Sequence, residues 1–179
     1  MSLTPHRRRT RISPWRRGID WESPKVWYEC PSGWNRPALA AAYHGSAVTL
    51  KALEAKQAGK LMDALGFIDA GVEEIDAALA SEPGNLELRI LRLENSMSLI
   101  ETSPVDRKPQ VREDLAALRA AWASLGPEQK AISDLDEGRL LVSDKRLSDA
   151  LKRWRAVQKD APDSEPAARA RKLIARYGD

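Results

Sequence analysis

The chain has one cysteine, Cys30, among its 179 residues. No intrachain disulfide can form, which suits a reducing compartment. Aromatic residues make up only 6%, a composition that fits a helix-rich protein better than a sandwich or barrel. No stretch approaches the roughly 20 consecutive apolar residues of a membrane-spanning helix. No apolar segment follows Arg16-Arg17 as a secretory leader requires, so no membrane association and a cytoplasmic location are expected. A glycine-rich phosphate loop is also missing, because neither Gly126-Pro127 nor Pro83-Gly84-Asn85 is followed by Lys-Ser/Thr. His44 has no second ligand at metal-binding spacing. Cys30 with His6 or His44 lacks an orienting acid. Glu73, Glu74 and Asp76 crowd one helix, but residues one apart do not share a face, so no paired-carboxylate site is implied. No catalytic residue, metal or cofactor is expected.

What the chain does have is charge, unevenly placed. Charged residues are 31% and hydrophobic ones 42% of the total. Residues 1–36 carry eight Lys/Arg against three Asp/Glu, leaving twenty-one against twenty-three for residues 37–179. A basic arm thus precedes a slightly acidic body. Trp15, Trp21, Trp27 and Trp34 lie in the arm, and Pro5, Pro14, Pro24 and Pro31 interrupt it too often for a useful helix. The arm reads as extended. Its tryptophans need apolar cover, which its own helices, a partner protein, a nucleic acid or a membrane surface can each supply.

The body reads as about seven helices with no alternating strand pattern. Pro37 opens the first, with Asn35 as a cap and Leu39, Tyr43, Ala47 and Leu50 as its inward stripe. Small residues between them, Ala38, Ala40, Ala41, Ala42, Gly45 and Ser46, leave room for a neighbouring backbone. Leu61, Leu65, Ile68, Val72, Ile75 and Leu79 step by four and three along the second helix, which stops at Ser81-Glu82-Pro83-Gly84-Asn85. In the third, Leu86, Ile90, Leu93, Met97 and Ile100 form one face and Leu88 and Leu91 another, the mark of a helix packed between neighbours. Val111, Leu115, Leu118, Trp122 and Leu125 make the next stripe, up to Gly126-Pro127. A shorter helix from about Glu128, one around Leu147–Val157, and a basic terminal helix capped by Asp163 or Ser164 complete the body.

One internal offset matches several residue types at once. Gly59, Gly71, Ile75 and Pro83 fall 79 residues before Gly138, Ala150, Trp154 and Pro162. A small residue, a large apolar one a turn later and a closing proline suit a repeated helix-turn-helix. Both units resemble tetratricopeptide repeats. That resemblance implies antiparallel helix pairs, a glycine (Gly59 or Gly138) inside each first helix, Ala78 on the second helix of the first unit, and a capping helix near 167–177. The units depart from the family where Ala55 and Asp134 stand in place of an early aromatic, and in an offset longer than two standard repeats of about 34 residues.

The resemblance implies an interaction adaptor or scaffold whose first helices line a groove for a partner protein, within a larger assembly or alone. Lys56, Lys60, Asp63, Asp136 and Arg139 occupy groove-facing positions, and Arg89 and Arg92 can add charge, suited to a carboxylate or acidic segment. The arm offers a second docking element through Arg8, Arg9, Arg11, Trp15, Arg16, Arg17, Trp21, Trp27 and Trp34. The alternative is nucleic-acid binding, with those arginines on phosphates and the tryptophans on bases. Oligomeric state is left open.

Overall fold

The computed structural model describes residues 36–178, and the arm residues from Arg8 to Trp34, with Cys30 and Asn35, lie outside them. The described residues form seven α-helices and no strand. These are α1 (Pro37–Gln57), α2 (Leu61–Ser81), α3 (Leu86–Thr102), α4 (Lys108–Ala120), α5 (Pro127–Ser143), α6 (Leu147–Asp160) and α7 (Glu165–Tyr177).

Local chemistry sets most of these boundaries. Proline enters the first turn of α1, α4, α5 and α7, where its missing N–H costs nothing. The Asn85 side chain accepts from the amides of Glu87 and Leu88 at 3.1 and 3.3 Å and so starts α3. Ser164 caps α7 through the Ala167 amide. The α1–α2 and α5–α6 turns share one hydrogen-bond pattern. Lys60 N–H reaches back to Ala55 O (2.8 Å) and Gly59 N–H to Lys56 O (3.0 Å), while Arg146 N–H reaches Leu141 O (2.8 Å) and Lys145 N–H reaches Val142 O (2.9 Å). Each satisfies terminal carbonyls with one residue in the left-handed region, Gly59 at φ 75° and Lys145 at φ 61°.

Three expectations need correction. Gly59 is not inside a helix but forms the α1–α2 turn, where its positive φ is what a glycine is suited to. The fourth helix ends at Ala120, and Trp122–Ser124 form a single 3-10 turn that carries Leu125 back into the core. Most consequentially, α1 buries its small face: Ala38, Ala42, Gly45, Thr49, Ala52 and Ala55 are inside, while Tyr43 is 49% and Leu50 67% exposed. The reason is the approach of α2. A Cβ on Gly45 would lie 2.6 Å from Gly71 O, and one on Gly71 would lie 2.5 Å from Gly45 O. At that separation only side-chain-free positions fit.

The apolar interior is divided into clusters between neighbouring helices. Leu88 packs with Ala38, Ala42, Ala78 and Leu79, whereas Ile90, Leu93 and Met97 pack with Val111, Leu115 and Leu118 of α4. The two faces of α3 therefore serve two neighbours, as its spacing predicts. Trp154 anchors a third cluster with Leu135, Ala150, Val157, Ala167 and Ala170. It is fully buried, donates its indole N–H to Leu135 O at 3.1 Å, and its ring lies against Gly138. Helices pack in a regular order: α1 with α2, α3 with α4, and α5 with α6. In addition α1 touches α3, α3 touches α5 and α5 touches α7, while α2, α4 and α6 each touch the helix that follows.

Candidate binding surface

The serial contact of α1, α3, α5 and α7 joins their faces, and two clefts open there. One, of about 470 Å³, lies between α1, the start of α2 and α3. Leu50, Leu53, Leu61, Leu65 and Leu99 line it, with Lys56, Glu94 and Asn95 among its polar residues. The other, of about 660 Å³, is bounded by the end of α3, α5 and α7 and carries Arg139, Arg169, Lys172 and Arg176 against Glu101. Thr102 borders both clefts.

Local sequence explains both linings. Because α1 turns its alanines and glycine to α2, the leucines on its other side are left at the surface. On α7, Arg169, Lys172, Leu173, Arg176 and Tyr177 follow helical spacing and share a face. Lys172 and Arg176 have no carboxylate partner among the described residues, although the Arg176 guanidinium lies 5.2 Å from the Tyr177 ring centroid. Arg169 Nη1 is 3.6 Å from a Glu94 carboxylate oxygen, linking α7 to α3.

Around these clefts arginines clamp carboxylates, most of them on neighbouring helices. Arg92 meets both oxygens of the fully buried Asp114 at 2.8 Å, and Arg89 Nη1 adds a bond at 3.1 Å. Arg107 grips Asp76 through two bonds of 2.8 Å. Arg139 donates to Glu101 at 2.8 and 2.6 Å and to Asp136 at 2.6 Å. Paired bonds of this kind fix orientation as well as charge. Burial works against the charge on Arg92, but its pairing with Asp114 and Glu113 together outweighs that and leaves its pKa raised. Burial likewise pushes the Asp114 and Asp136 carboxyls up, although the arginines pull the other way. Asp136 Oδ2 is buried with no hydrogen-bond partner among the described residues. Glu94 is pushed up by burial and then by the charge of Asp136, and Tyr43 by burial and then by Glu87 and Glu94.

The structure scatters the residues that the sequence proposed for a groove. Arg139 lines the basic cleft, and Lys56, whose Nζ donates to Thr102 O at 3.0 Å, lines the apolar one. Arg89 and Arg92 are engaged by Asp114, Asp136 is fully buried beside Arg139, and Lys60 and Asp63 are exposed around the α1–α2 turn. The sequence reading missed Leu53, Leu61, Arg169, Lys172 and Arg176. The available signal was the spacing of the last three, read only as the charge of a terminal helix. His44 Nδ1 lies 2.6 Å from Glu74 Oε2. Among the described residues no cluster of His, Cys, Asp and Glu could hold a metal, and no helix is long and apolar enough to cross a membrane. No protein-family model, curated protein or solved structure matches the chain.

Proposed function

We propose that this chain is a non-catalytic adaptor of tetratricopeptide-like build that holds a segment of a partner protein along the face shared by α1, α3, α5 and α7. The observation that carries the reading is the order of helix contacts, odd helix to next odd helix. Three antiparallel pairs followed by a terminal helix account for that order, because stacked pairs present their first helices side by side. The matching turns at Gly59 and Lys145 support a repeated unit. So does the α5–α6 pair, in which Gly138 lies inside the first helix and Ala150 and Trp154 in the second, as in the family it resembles. The unpartnered leucines and cations on this face supply the apolar and ionic contacts that an adaptor needs.

Site-specific photocrosslinking in native lysate tests this. A crosslinking residue at Leu53 or Leu173 of the full-length protein is expected to give protein adducts that survive nuclease, and one at the exposed Arg155 of α6 none. Adducts confined to Arg155, or nuclease-sensitive material alone, overturn the adaptor and favour a nucleic-acid tether.

A further inference from the structure

The two clefts on the odd-helix face differ in chemistry, and the difference has a direction along the helix series. At the α1 end, Leu50, Leu53 and Leu61 are 67%, 53% and 62% exposed. Large side chains left in water at one place gain by burial against another apolar group, about 25 cal/mol for each Å² covered. At the α7 end, Arg169, Lys172 and Arg176 share a face, and two of them lack a carboxylate partner among the described residues. Glu101 in that cleft is already bound twice by Arg139, so it does not neutralise them.

We infer that the segment held on this face is apolar at one end and acidic at the other, with its apolar side chains on Leu50, Leu53 and Leu61 and its carboxylates on Arg169, Lys172 and Arg176. This rests on the adaptor reading and adds the chemistry of the ligand to it. Because Thr102 borders both clefts, one uninterrupted chain can occupy both. Packed helices lie about 8–10 Å apart. Three such steps from α1 to α7 come to about 24–30 Å, or about seven to nine residues of extended chain at about 3.3 Å each. A nucleic acid fits less well. The leucine cleft is mostly apolar and its lining has a single cation, Lys56, which is engaged by Thr102 O; Glu94 opposes a polyanion there, and Trp154 is buried and cannot stack on a base.

The test is selection of a random 12-residue peptide library on the full-length protein, followed by fluorescence anisotropy of the enriched peptides. Enriched sequences are expected to carry apolar residues and Asp or Glu in one fixed order. Their affinity should fall about tenfold with Lys172→Gln/Arg176→Gln and about tenfold with Leu50→Ser/Leu53→Ser, with salt weakening only the part that the first pair removes. All four positions are at or near the surface, and circular dichroism of each variant checks the fold. Enriched peptides that lack acidic residues, or that ignore the Lys172/Arg176 pair, overturn the inference while leaving the adaptor standing. No enrichment overturns the inference too, and the adaptor then survives only if Leu53 still crosslinks to protein. A 12-nucleotide single strand that binds through Lys172 and Arg176 where peptides do not overturns both.

Discussion

In the α1/α2 pair two glycines, Gly45 and Gly71, bring backbone against backbone, whereas in the α5/α6 pair Gly138 makes room for the indole of Trp154. The first contact is made by removing side chains and the second by inserting the largest one. The consequence lies on the surface. Trp154, Leu135 and Val157 put the apolar residues of α5 and α6 inside, and Leu147 is the only large hydrophobic that the pair leaves exposed among the described residues. Because α1 turns its alanines to α2, Tyr43, Leu50 and Leu53 remain outside, and Leu61 and Met62 at the start of α2 are exposed beside them. A helix that packs by its small face keeps its large one for something else. The apolar end of the proposed binding surface follows from how α1 met α2.

The sharpest break of this comparison is Trp154→Ala, which removes the anchor of one pair and leaves the other untouched. It should cost about 3–5 kcal/mol in chemical denaturation, with hydrogen exchange rising first in α5–α7. Gly71→Ala attacks the other pair with a single methyl. Overpacking against Gly45 O and Thr49 costs about 1–3 kcal/mol, at the upper end because backbone atoms cannot yield, and outweighs the gain in helix propensity of about 1 kcal/mol. A measured stabilisation would show that α1 and α2 are not in backbone contact.

The shared turn permits a smaller, symmetric test. Lys145→Gly should stabilise by about 0.5–1 kcal/mol, because Lys145 holds a positive φ that glycine adopts freely, and Gly59→Ala should destabilise by about 1 kcal/mol. Thermal melts of the two variants should shift in opposite directions. The smallest effect concerns Asp144 beside that turn. Burial would raise its carboxyl, but the hydrogen bonds from Arg112 and Lys108 hold it below its ordinary value. Its contribution is present above the unfolded carboxylate pKa, and it is lost as pH falls through the lowered folded one. Asp144→Asn should therefore weaken the protein slightly at neutral pH and make no difference in strong acid, a contrast that paired melts at the two pH values would read.

The sequence by itself determined several helix starts and the stop after α2, though not the end of α4 or the turn at Gly59. Pro37, Asn85, Ser164 and the Glu82-Pro83-Gly84 stop act over a few residues, through missing amides, side-chain caps and φ preferences, and need no distant partner. It also determined the double stripe of α3 and, through Ile68, Ile75 and Leu79, the stripe of α2, although Leu61 at the start of that stripe is left exposed. Tertiary structure alone decided which face of α1 is buried. Its large-residue stripe and its small-residue stripe are both apolar, and only the glycine of α2 standing opposite favours the small one. The same holds for charge. No local rule pairs Arg92 with Asp114 across 22 positions, or Arg139 with Glu101 across 38, while leaving Lys172 and Arg176 without a carboxylate. Such pairings depend on which helices lie side by side, and that is fixed by long-range packing.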